Sequence, residues 1–169
     1  MAITNRNSTA VADMVAVPRV LVNCTKGSTG RLFEVCGYVA NAADDDATSV
    51  FRFCRVPSNA RVSQVLLTTG DATTAGNINV GLYQTADNGG AVVDADLFTS
   101  ALALTGGPFA NSDITYESGE YTEAESVKPL WEVLGLTSDP KRDYDVCAVI
   151  STTYQAAAVG TIIKVRYVI

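Results

Sequence analysis

Histidine is absent from this chain of 169 residues, which excludes every Ser-His-Asp and Cys-His arrangement and leaves a nucleophile without its usual base. Tryptophan occurs once, and charged residues make up only 18% of the total. Lys and Arg number 12 against 18 Asp and Glu, giving a formal charge of −6, and no basic run occurs anywhere. Affinity for a phosphate backbone comes from clustered cations, so the sequence argues against a nucleic-acid partner. No segment approaches the roughly 20 apolar residues of a membrane helix, and Met1 to Pro18 lacks the basic start and apolar run of a signal peptide. The expectation is a soluble protein made in a reducing cytoplasm, with no membrane partner.

Cysteine is sparse and badly spaced for metal. Cys24, Cys36, Cys54 and Cys147 form no C-x-x-C pair, so neither a zinc site nor a disulfide framework is expected. Cys36, Cys54 and Cys147 lie inside apolar strand patterns, where a free thiol is expected to behave as a small buried hydrophobe.

What is present is period-two alternation. Ile78, Val80 and Leu82 alternate with Asn77, Asn79 and Gly81, and Ile163, Val165, Tyr167 and Ile169 alternate with Lys164 and Arg166. One face of each segment packs and the other meets water or a partner. Strands are expected at 31–40, 49–56, 60–68, 77–84, 145–152 and 161–168, with a weaker one at 15–22. Pro57-Ser58-Asn59 supplies a turn between two of them, and Gly70-Asp71 and Asp87-Asn88-Gly89-Gly90 punctuate later connections. A chain of this length and 47% hydrophobic content can bury one core.

Two insertions break the rhythm. Asp94 can cap a short helix through Asp96–Leu102, although a strand fits there nearly as well. A better helix runs from Pro129 to Leu134, with Pro129 in the first turn, Gly135 ending it, and Leu130, Val133 and Leu134 on one face. Trp131 is expected to seat this helix against a sheet. Residues 1–17 lack firm periodicity and form an expected extended arm, leaving 18–169 as a single domain.

Candidate chemistry is thin. Glu117, Glu120, Glu123 and Glu125 cluster in one loop, but a glycosidase needs two acids at a fixed separation on rigid walls, and only Tyr116 and Tyr121 are near as sugar platforms. Asp44-Asp45-Asp46 offers carboxylates without the spacing of a calcium loop. Gly89-Gly90 and Gly106-Gly107 lack the lysine of a phosphate-binding loop. No catalytic, cofactor-binding or metal residue is assigned, and the chain is read as a non-enzyme.

One resemblance adds to this. Arg55-Val56-Pro57-Ser58-Asn59-Ala60-Arg61, Asn79-Val80-Gly81-Leu82-Tyr83, Gly89-Gly90-Ala91-Val92-Val93-Asp94, Pro129 to Leu136, Asp139-Pro140 and Val165-Arg166-Tyr167-Val168 occur in an order spanning about two thirds of the chain. In order and combination they resemble small virion structural proteins of tailed bacteriophages, most of all capsid decoration, or cement, proteins. The resemblance implies a mainly β fold, an antiparallel β-sandwich of jelly-roll type with one or two short helices in loops. It also implies synthesis in a bacterial host, the major capsid protein as partner, and self-association as a homotrimer; the acidic charge, which DNA in the interior would repel, sets the expected place on the outer capsid surface. For contacts with partners we single out Asn5, Arg6, Asn7 and Val11 of the arm, and Asp44, Asp45, Asp46 and Thr48 of one inter-strand loop. The competing reading is a tail or head-fibre β-domain that grips a host glycan.

Overall fold

The computed structural model describes residues 31–40, 45, 47–70, 76–152 and 160–169. Eight strands run in order: β1 (Leu32–Ala40), β2 (Val50–Pro57), β3 (Arg61–Thr69), β4 (Asn77–Gln84), β5 (Val92–Ala103), β6 (Phe109–Asp113), β7 (Asp143–Thr152) and β8 (Gly160–Val168). They form two four-stranded sheets with orders β1-β8-β3-β6 and β2-β7-β4-β5, and every pairing is antiparallel. This is the strand order of a jelly roll, two Greek keys folded face to face.

Alternation places the core. Val62, Val65 and Leu67 of β3 and Ile163, Val165 and Tyr167 of β8 meet Ile78, Val80 and Leu82 of β4 and Tyr144, Val146, Ala148 and Ile150 of β7, all buried. The sheets approach most closely between β1 and β2. A Cβ on Gly37 would lie 1.9 Å from the Phe53 carbonyl oxygen, so only glycine lets β2 pass there. Phe53 is the residue skipped by the β2–β7 ladder between Arg52 and Cys54, and this bulge brings its backbone inward.

Six strands stand within two residues of their expected bounds, and the segment 94–102 does not form a helix. It belongs to β5, which pairs with β4 through three register shifts. Those bulges put Leu97, Phe98 and Thr99 in the interior consecutively, erasing the alternation that marks a regular strand. The second departure is β6, five residues long with only Phe109 apolar and large.

The expected helix is α1 (Leu130–Val133). Pro129 is its N-cap, in extended conformation, rather than a first-turn residue. At the other end Gly135 N–H donates to Glu132 O at 3.0 Å and Leu136 N–H to Trp131 O at 2.9 Å. That pair of bonds closes a Schellman motif around Gly135, whose φ is +69°. Leu130 is fully buried while Trp131 is half-buried, and backbone N–H groups of Leu130 and Trp131 donate to Ala60 O and Ser58 O at 2.9 and 3.0 Å. The helix is thereby pinned to the β2–β3 turn. Of the thiols, Cys147 is buried and Cys54 half-buried, but Cys36 is exposed; it sits on the outward face of an edge strand, where alternation alone cannot tell core from surface.

Candidate assembly surface

Antiparallel registers sort the connections into two ends. Ala40 pairs with Gly160, Thr69 with Thr161 and Phe109, and Asn77 with Thr152 and Ala103, so the β1–β2, β3–β4, β5–β6 and β7–β8 connections leave from one end. The opposite end carries the β2–β3 and β4–β5 turns and is covered by α1 and the segment 114–142.

Thr48 and Asp45 belong to the first end. Thr48 is exposed, with φ at +78°, and its N–H donates to Ile150 O at 2.8 Å, fastening the loop to β7. Asp45 is half-buried. Asn5, Arg6, Asn7, Val11, Asp44 and Asp46 lie outside the described residues, as do the expected arm, the strand at 15–22 and Cys24.

Each sheet carries a polar network on its outward face that sequence reading did not assemble. Across the first sheet, Arg166 Nε donates to Glu34 at 2.7 Å, Arg166 Nη1 to Gln64 at 2.9 Å, and Gln64 Nε2 to Asp113 at 2.9 Å. One rung thus crosses all four strands. The Arg166 guanidinium holds the Glu34 carboxyl below its ordinary range. Burial pulls Asp113 upward, but hydrogen bonds from Thr115 and Gln64 outweigh it and leave that carboxyl low as well. On the second sheet, buried Asp145 accepts from Arg52 Nη1 at 2.8 Å and Arg55 Nε at 2.9 Å. Arg52 also donates to Gln84 O and Gly90 O, at 2.9 and 3.0 Å, and lies over the Tyr83 ring. The signal was the outward phase of Arg52 opposite Phe51; the partner 93 residues away required the topology.

The acidic loop is structural in its contacts. Glu117 accepts Ser100 N–H at 3.0 Å, and Glu125 accepts the Thr122 hydroxyl and pairs with Lys128 at 3.3 Å. Those contacts hold the Glu125 carboxyl low, the opposite of what a general acid requires. Tyr121 is no sugar platform, because it is fully buried. Asp94, Asp96 and Glu120 bring carboxylate oxygens within 4.8 Å of one another, a cluster no spacing in the sequence announced; Asp94 accepts Asp96 N–H and Asp96 accepts the Ser100 hydroxyl. A groove of about 330 Å³ runs between Val93, Leu134, Leu136, Pro140 and Tyr144.

No protein-family model matches the sequence, and no curated protein matches it. Solved structures do share the fold. A chain in the Cyanophage Pam1 capsid asymmetric unit superposes with a TM-score of 0.56 at 16% identity, over 91% of this chain and 96% of that one. A chain in the capsid of Ralstonia phage GP4 gives 0.53 at 13% identity, over 82% and 84%. A chain in the acidic stable capsid of Helicobacter pylori bacteriophage KHP30 gives 0.44 at 12%, over 83% and 94%. By its strand order and the first two of these superpositions, the chain has a jelly-roll fold of a kind found in phage capsid structures. Near-equal coverage in both directions makes the Pam1 chain similar to it in length.

Proposed function

We propose that this protein is a bacteriophage capsid decoration protein, which binds the outer surface of the head and stabilises contacts between major capsid proteins. The observation that carries this reading is the overlap, along nearly the whole length of both, with a chain of the Pam1 capsid. A shared fold alone leaves function open, and the chemistry of the chain supplies the rest. A surface charge of −6 disfavours the DNA-filled interior, where phosphate would repel it, and suits the exterior. Arg52, Arg55 and Asp145 in one sheet and Glu34 and Arg166 in the other tie strands together. The loop end, with Asp44 to Thr48, and the arm, with Asn5, Arg6, Asn7 and Val11, provide separate contacts. A specific interface removes upwards of about 1,000 Å² from water, more than one short loop supplies, so arm and loops act together.

Cementing then follows from multivalency. A subunit that touches two or more shell proteins leaves only when all contacts open, so modest contacts resist internal pressure jointly. A homotrimer suits the local threefold positions of an icosahedral shell. Purified virions test the reading through the copy number of this chain on a quantitatively stained gel. The expected result is on the order of hundreds of copies per particle, as a decorated lattice demands. A handful of copies would instead place the domain in a fibre, neck or tail, where the glycan-binding alternative belongs.

A further inference from the structure

Strand β1 is the edge of its sheet among the described residues. Its only strand partner there is β8, so no described strand meets the backbone groups on its other side along nine residues. Leu32 and Tyr38 are each 65% exposed and Phe33 37%. The strand contains neither lysine nor proline, two of the devices that blunt an exposed edge against pairing. Its sole charge, Glu34, points outward into the rung with Arg166. An edge of this kind is a template for an added strand.

The sequence ahead of β1 contains one segment that fits it. Val15-Ala16-Val17-Pro18-Arg19-Val20-Leu21-Val22 is apolar except for Arg19. Laid antiparallel with Arg19 opposite Glu34, it sets Leu21 against Leu32, Val17 against Cys36 and Val15 against Tyr38 on the outer face. On the inner face Val20 meets Phe33, Pro18 meets Val35, and Ala16 meets Gly37, the position where β2 leaves no room for bulk. In this register the one cation meets the one anion and apolar residues meet apolar ones. A slip of one residue would send Arg19 to the inner face, and a slip of two would set it against Leu32 or Cys36. Proline is tolerated in an edge strand, and Pro18 and Arg19 would blunt the new edge in turn.

We propose that the β1 edge accepts residues 15–22 of a second copy, so that copies are joined by strand exchange. Pairing within one chain at this register would need a connection of nine residues, 23–31, whereas hairpin loops run to about 2–5. Fully extended, such a connection reaches about 30 Å, enough to cross to a neighbour. The inference names the self-contact of the proposed assembly and rests on that reading. It is tested on isolated protein with no shell present, so its failure and a failure to bind shells are separate results.

The test is a cross-link between facing positions. Directly opposed residues stand with Cα atoms roughly 4.5–5.5 Å apart, within disulfide reach. In a Cys24→Ser background, Val17→Cys should form a disulfide with native Cys36 under mild oxidation. Cys54 and Cys147, with thiols pushed up to about 12 by burial, stay reduced. The expected result is that most chains move to dimer and higher bands on a non-reducing gel. Reductant, or the further change Cys36→Ser, should abolish the shift, and Ala16→Cys, which faces inward, should give none. Val15→Cys with Tyr38→Cys, in a Cys24→Ser and Cys36→Ser background, repeats the test two rungs along. Monomer-length product from both pairs, whether unlinked or closed within one chain, overturns the proposal.

Discussion

Gly37→Ala is expected to lower stability by about 3 kcal/mol, a fall of roughly 6–12 °C in Tm. The added Cβ would stand 1.9 Å from the Phe53 oxygen, 2.4 Å from its carbonyl carbon and 2.7 Å from its Cα. All three are backbone atoms, held by the β2–β7 ladder on either side of the bulge. No rotamer change relieves such contacts, so β1 must move away from β2 and loosen the packing between the sheets. Gly89→Ala separates this effect from conformational strain. There the new Cβ meets nothing within 4 Å and only a φ of +90° opposes it, for a cost of about 1 kcal/mol. Thermal melts of the two variants should differ plainly; equal and small shifts would show that β1 and β2 do not approach as described.

Tyr121→Ala carries the largest expected loss, about 4 kcal/mol or roughly 8–16 °C in Tm. The ring is fully buried in the segment that covers one end of the sandwich, edge-on to Phe98 at 5.1 Å and stacked on Tyr116 at 6.0 Å. Its hydroxyl donates to Val62 O at 2.7 Å. Pairing of β6 with β3 begins only at Leu66, so beyond that point side chains and single backbone groups take over, with Thr115 accepting Val65 N–H at 2.7 Å in the same way. Burial pushes the Tyr121 phenol up, which favours the protonated form that donates this bond. Tyr121→Phe leaves the ring and removes only this bond, for about 1 kcal/mol. Denaturant melts of both variants check the ratio; a loss for Phe equal to that for Ala would mean that the hydroxyl, not the ring, closes this end.

Regular strands were legible because each has one face in the core, which turns burial into a period of two. Asn77–Gln84 reads correctly to the residue for that reason. Segment 92–103 read almost as well as strand as it did as helix, and the strand forms; the pattern was ambiguous because its bulges break the period, and Ala101, with φ at +51°, leaves the extended region altogether. Its Asp94 and the spacing of Phe98 and Leu102 then imitate a capped helix. The short β6 borrows its stability from β3 rather than from its own pattern. Strand order is set by which edges meet after collapse, which no local window contains; the jelly roll was expected only from the family resemblance. Among surface residues, Thr48 proved exposed at the loop end, while the networks around Arg166 and Asp145 join positions 132 and 93 residues apart.

Binding of purified protein to undecorated phage heads tests most directly whether this sandwich works by gluing shell proteins together. Sedimentation should show uptake that saturates at a fixed number of copies per head, with decorated heads surviving heating that bursts bare ones. A chain lacking residues 1–14 should keep the melting transition of the β core and attach more weakly. Heads that take up none of the protein, or take it up with no gain in resistance, would contradict the account.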